Sequence, residues 1–203
     1  MKVIETEVFT LDELDDKAKD KAREWYRDTL SDDSFWYECV IDDAKRMFAL
    51  CGWEIKNIRW SGFSSQGDGA CFEGRWSAHY VIAGGVIKEA LREVELNRIA
   101  TGFEKLAREF PDASFTVKHR GHYNHENCTE FDFHIAEEQD IVGLESGTTQ
   151  STAEVDLEEL AKDAMKWTYR QLEKERCWYY SNEQVDESIE ANEYTFTKDG
   201  RRF

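Results

Sequence analysis

The chain has 203 residues and a mass of 23.8 kDa, which suits one domain with a core of its own. Its 43 acids against 26 bases leave a net charge of −17, which argues against attraction to bare nucleic acid or to an anionic membrane surface. Hydrophobic residues make up 40% and aromatics 13%, with seven tryptophans, so the charge does not mark a disordered acidic tail.

The elements follow in chain order. Residues 2–10 alternate loosely and predict a strand. Thr10 then caps a helix, with Glu13 as its capping-box partner. Leu11, Leu14, Ala18, Ala22 and Trp25 fall at helical spacing, and acids and lysines occupy the other face. Residues 31–33 open a second helix whose stripe includes Trp36, Ala44, Met47 and Phe48, and which Gly52 closes at C′. Residues 53–63 and 71–81 predict a β-hairpin with a glycine-rich tip. Gly84 and Gly85 break the strand. A helical pattern then runs over 86–110 with a phase drift near Leu96 and Gly102 that predicts a kink or a split there, and Pro111, the sole proline, stops it.

Residues 115–119 and 131–135 alternate and predict a second hairpin, with His122–Asn127 at its tip. Residues 136–152 have loop composition. Ser151 or Thr152 begins a further helix through Leu172, extending toward residue 191, and the closing stretch carries an Asp199-Gly200 turn pair. The expected fold is α+β, a single domain over 1–203. Two hairpins plus terminal strands make an antiparallel or mixed sheet, packed against about four helices.

The five cysteines, at 39, 51, 71, 128 and 177, are odd in number and lack Cys-x-x-Cys spacing. With no secretory leader at the start, they read as reduced thiols in a cytoplasm. The tryptophans sit mostly on apolar stripes and read as core. Trp178-Tyr179-Tyr180 is the exception, because three consecutive aromatics on a helix cannot all face one core.

Chemistry-bearing residues concentrate at the two tips. His119, His122 and His125 form His-x-x-His-x-x-His, a ligand set for a divalent metal if a turn gathers them. Strand alternation opposes that convergence. If the tips are neighbours, Asp68, Glu73, His119, His122 and Cys128 supply acid–base or nucleophilic groups, but no nucleophile motif is present. A nucleotide or phosphate pocket would use the amides and hydroxyls of the first tip, with Lys118, His119 and Arg120 supplying positive charge, and the ligand-binding candidates across both tips are Ser64, Gln66, Asp68, Glu73, Arg120 and Glu130. The loop lacks a P-loop lysine and precedes a strand rather than a helix. The simpler account of Gly67 and Gly69 is a tight turn at positive φ. Each tip leaves through Cys-x-Glu, a short echo between positions 71–73 and 128–130. The remaining candidate is protein binding through acidic helices, whose spaced carboxylates imitate a phosphate row and fit a basic groove.

The stretches "FSSQGDGACFEG", "KHRGHYNHENCTE" and "NEYTFTKDGRRF" resemble a family of small phage and prophage proteins, some labelled antitoxin of a toxin–antitoxin stability system. The resemblance runs from the first strand to the terminus and brings no catalytic residues or cofactor. It implies an accessory protein of a mobile element. The expectation is an acidic phage or prophage accessory protein in the bacterial cytoplasm. It binds and inhibits a host or defence-system protein with a basic surface. The alternative is a metal- or nucleotide-dependent site between residues 62–74 and 118–130. A third reading makes the hairpins a scaffold and the protein a homodimer.

Overall fold

The structure, a computed structural model, describes residues 1–2, 5–30, 33–135 and 151–203. The loop expected over 136–152 and the opening of the second helix at 31–32 therefore lie largely outside the described residues. The chain divides into two units, Met1–Glu38 with Lys174–Phe203, and Cys39–Glu173.

In the larger unit, helix α2 (Phe35–Leu50) runs directly into strand β1 (Cys51–Trp60). Gly52 makes that change of direction possible. Its φ is +90°, and a Cβ there would lie 2.6 Å from the Ser77 carbonyl oxygen. Strand β2 (Ala70–Val81) returns antiparallel to β1. Helix α3 (Gly85–Glu89) and helix α4 (Val94–Glu109) follow. The segment expected to kink or split near Leu96 and Gly102 does split, but earlier, at residues 90–93, and Gly102 lies inside α4 seated against Leu160. Strands β3 (Ser114–His119) and β4 (Thr129–His134) form the second hairpin. The four strands make one antiparallel sheet in the order β1-β2-β3-β4.

The register follows the period-two pattern of the sequence. Trp53 faces Trp76, Trp76 faces Phe115, and Phe115 faces Phe133, so one sheet face is aromatic across all four strands. Phe103 of α4 closes over this face against Trp53 and Trp76. The Trp53 ring lies edge-on to Phe115 with centroids 5.0 Å apart, and the Trp76 indole N–H donates to the Cys51 carbonyl at 2.7 Å. Helix α5 (Thr152–Tyr179) adds Leu157, Ala161, Ala164 and Met165 to the same core. The opposite sheet face carries Glu54, Arg59, Glu73, Arg75, Thr116, Lys118, Glu130 and Asp132.

In the smaller unit, a 3-10 turn (Leu11–Glu13) precedes helix α1 (Asp16–Thr29). The Thr10–Glu13 pairing forms as expected, with the Thr10 N–H donating to Glu13 Oε2 at 2.8 Å. It caps the 3-10 turn, and the α-helix has its own cap in Asp15, which accepts from the Ala18 N–H at 2.9 Å. Helix α6 (Asn182–Ala191) packs Val185 and Ile189 against Leu11, Leu14, Ala18 and Ala22. Arg23 locks α1 to α6 with two 2.7 Å hydrogen bonds to Asp186, which hold its guanidinium pKa above the ordinary value. Among the described residues the terminal segments add no strand to the sheet. Phe9 and Arg202 each bridge to Phe196 instead, and Gly200, at φ +79°, completes the Asp199-Gly200 turn. Trp178 is 52% exposed, while Tyr179 donates to Asp33 and Tyr180 to the Leu30 carbonyl. Among the described residues no helix is long and apolar enough to cross a membrane.

Candidate functional site

The two hairpin tips are neighbours. A Cβ on Gly67 would fall 2.2 Å from the Tyr123 ring, and one on Gly69 would fall 2.4 Å from the His125 Cβ. Neither glycine is among the positive-φ residues, which corrects the expectation for both. They are glycines because the second tip lies on them, leaving no volume for a side chain. The Asn124 side chain adds a hydrogen bond to the Trp60 carbonyl at 3.2 Å. From α5, Tyr169 donates to the Gly62 carbonyl at 2.7 Å and stacks on Phe63 with centroids 5.2 Å apart.

Within the first tip, Asp68 turns back on its own loop. Its Oδ2 accepts from the Ser64 N–H at 2.9 Å and the Ser65 N–H at 2.7 Å. Those amide donors hold the Asp68 carboxyl below the usual carboxylate range. The loop is therefore an anion-binding nest that already holds an anion, and these two amides are not free for a phosphate. Burial raises the Tyr169 phenol, and the nearby Asp68 charge adds to it. Ser64 and Gln66 lie exposed on the outer side of the turn.

The second tip is engaged in the same way. His119 Nε2 lies 2.9 Å from the Tyr123 carbonyl, which can only accept, so that nitrogen carries the proton. His125 Nδ1 accepts from the Asn127 N–H at 3.1 Å, which leaves the proton on Nε2, 3.7 Å from Cys128 Sγ. In that tautomer His125 is a donor toward sulfur and not a base for the thiol. His122 is exposed, with its ring edge-on to Tyr123. The structure does not gather the three histidines into one ligand set. Among the described residues no group of three or more His, Cys, Asp or Glu side chains is placed to hold a metal ion.

The remaining candidates pair locally. Glu73, on the open sheet face, accepts from Asn57 at 3.0 Å and lies 3.2 Å from Arg59. The Asn57 bond is the first cause of its lowered pKa, ahead of Arg59. Arg120 and Glu130 pair with each other at 2.8 Å in solvent. Cys71, inside the junction, is fully buried, and that burial pushes its thiol up to about 12. Asn57, Arg59, Tyr123, Asn124 and Tyr169 were not legible as partners of the tips. Only the fold reveals the proximity of residues more than a hundred positions apart.

A second site lies on α1. Asp16, Asp20, Glu24 and Asp28 recur every four residues, all exposed, along one line of the helix. At 1.5 Å per residue their rise is about 6 Å from one to the next. Asp20 pairs with Arg23 at 3.0 Å, while Asp16, Glu24 and Asp28 make no ion pair among the described residues. Like charges at this spacing cost a helix about 0.2–0.5 kcal/mol per pair; Asp28 in the last turn opposes the helix dipole, while Asp16 in the first turn favours it. Lys21, on the adjacent line, is held by Asp199 at 3.0 Å. Hydrogen bonds from Thr197 and then Lys21 draw the Asp199 carboxyl down to about 2.

A domain of unknown function, DUF8835, matches residues 36–182, and the chain belongs to that family. Among curated proteins and among solved structures, none matches the chain.

Proposed function

We propose that this member of the DUF8835 family is an acidic binding protein that occupies and inhibits a protein with a basic surface. The observation that carries the reading is the exposed carboxylate line of α1, whose like charges repel one another and whose last member opposes the helix dipole. A charge row that weakens its helix and pairs with little else is a row available to a partner. The net charge of −17 adds long-range attraction to any cationic surface. The resemblance of the tip motifs to phage and prophage proteins sets the partner class: a host or defence-system protein met in the bacterial cytoplasm.

The test uses the full chain immobilised and exposed to host lysate at low and at high salt. It is set beside the triple variant Asp16→Asn, Glu24→Gln, Asp28→Asn. A specific partner should be retained by the wild type, released by salt, and lost by the variant. An identical capture profile for both proteins would remove the acidic line from the account.

A metal- or nucleotide-dependent site between the tips is the second reading. The contact of Gly67 and Gly69 with the second tip supports it, since that contact sets the two tips side by side. If His122→Ala with His125→Ala leaves metal content and ligand binding unchanged, that reading ends.

A further inference from the structure

We infer that the aromatic corner formed by Trp25 of α1 and Tyr194 is a binding site for an arginine side chain of a partner, and that the chain's own Arg202 competes for it. The inference rests on the reading of α1 as the surface met by a basic partner, and it names the side chain which that surface selects.

The corner is built from rings of the smaller unit. Trp25 and Tyr194 meet edge to face, with centroids 5.3 Å apart and planes at 89°. Phe196, fully buried, lies 5.8 Å from the Trp25 ring, and Tyr26 lies 6.2 Å from both Trp25 and Tyr194. Trp25, Tyr26 and Tyr194 are each only partly buried, so the corner reaches solvent.

A cation already sits in it. The Arg202 guanidinium carbon lies 4.7 Å from the Tyr194 centroid and 5.8 Å from that of Trp25, within the range at which a ring attracts a cation. A guanidinium suits such a place better than an ammonium, because it is flat, stacks on aromatic faces and is more weakly hydrated.

Arg202 is a displaceable occupant. Its Nη1 donates to the Thr195 carbonyl at 2.9 Å and to the backbone oxygen of Phe203, and it pairs with no Asp or Glu side chain among the described residues. The backbone beneath it is fixed independently. The Thr197 N–H donates to the Arg201 carbonyl at 2.9 Å, and the Phe203 N–H to the Thr195 carbonyl at 3.0 Å. The Arg202 side chain can therefore leave by rotation about its own bonds while the turn keeps its form.

An incoming arginine finds a carboxylate that Arg202 does not use. Asp28, the last acid of the α1 line, stands three residues from Trp25, a spacing that makes their side chains neighbours on the helix surface. Asp28 is exposed and makes no ion pair among the described residues. An arginine from a basic segment lying along α1 can thus stack in the corner and pair with an acid at its rim.

The test is fluorescence anisotropy of two labelled peptides of equal length, one of arginine and one of lysine, titrated with the full chain. The arginine peptide should bind more tightly than the lysine peptide. Arg202→Ala should raise affinity for the arginine peptide, by about tenfold if Arg202 fills the corner about nine-tenths of the time, and should change lysine binding far less. Loss of structure cannot produce such a gain. Tyr194→Leu, which keeps an apolar side chain and removes a ring, should erase the preference for arginine. An Arg202→Ala variant that binds the arginine peptide no better than the wild type overturns the inference, as does failure of both peptides to bind. Equal, salt-sensitive binding of both peptides, lost in the Asp16→Asn, Glu24→Gln, Asp28→Asn variant, overturns the corner and leaves the acidic line standing. An arginine preference that survives in that triple variant and still gains from Arg202→Ala upholds the corner and removes the line.

Discussion

The joined hairpin tips and helix α1 use polar residues in opposite ways. At the tips nearly every such group finds a partner inside the protein: Asp68 holds two amides of its own loop, His119 a carbonyl, and His125 an amide on one side and a thiol on the other. Along α1, Asp16, Glu24 and Asp28 make no ion pair among the described residues and stand in a like-charged line. The tips look like an active site because they are rich in reactive residue types, yet those residues hold the junction together. The helix looks like ordinary solvated surface, yet its carboxylates repel one another along the line and Asp28 opposes the dipole. A residue's availability, more than its type, separates an element that shapes the protein from one that can act on another.

The largest effect expected to test this contrast comes from the tips. Gly69→Leu inserts a side chain where His125 already sits 2.4 Å away, and overpacking of this kind costs about 1–3 kcal/mol. Thermal unfolding should show a lower midpoint, while capture through α1 is kept. Gly67→Ala should cost less, because the Tyr123 ring it meets is 54% exposed and can swing aside. Next comes Asp186→Ala, which strands Arg23 part-buried without its two bonds and should cost about 1–3 kcal/mol in denaturant titration.

Asp68→Asn tests the nest through pH. Because the folded pKa of Asp68 is depressed, its stabilisation is complete above the unfolded carboxylate value of about 3.9 and is lost as pH falls through the lower folded value. The wild type should therefore lose stability over that acid window, and Asp68→Asn should flatten that part of the stability–pH curve. An unchanged acid limb would show that the two amide bonds contribute nothing measurable.

Much of this frame was legible in the sequence. The α+β class, both hairpins, the Thr10–Glu13 pairing and the stop at Pro111 follow from period-two and period-3.6 patterns and from cap chemistry, which are local signals. The split at 90–93 was placed too late because Leu96 and Gly102 disturb the apolar phase, while the break itself is fixed by the Asn97 side chain bonding the Ala90 carbonyl. Gly67 and Gly69 were misread for a different reason. Positive φ is a property of one residue, whereas close approach is a property of two, and the second residue stands more than fifty positions away. The site residues were found by type, but the tautomers and nest bonds that engage them exist only once the tips meet.

The smallest effect on stability, and the most telling for function, belongs to the α1 line. Neutralising Asp16, Glu24 and Asp28 relieves two i,i+4 repulsions around Asp20, the repulsion between Glu24 and Asp28, and an acid at the wrong helix end. The same variant removes Asp16 from the first turn, where an acid favours the helix dipole, so the terms offset and stability should change by no more than about 1 kcal/mol. The decisive measurement is therefore partner capture across a salt series by the wild type and this triple variant, with unfolding followed on the same preparations. The account predicts a folded variant within about 1 kcal/mol of the wild type that has lost its salt-sensitive partner. A variant that keeps the partner with the same salt dependence would contradict it, and would leave the acidic line as solvated surface.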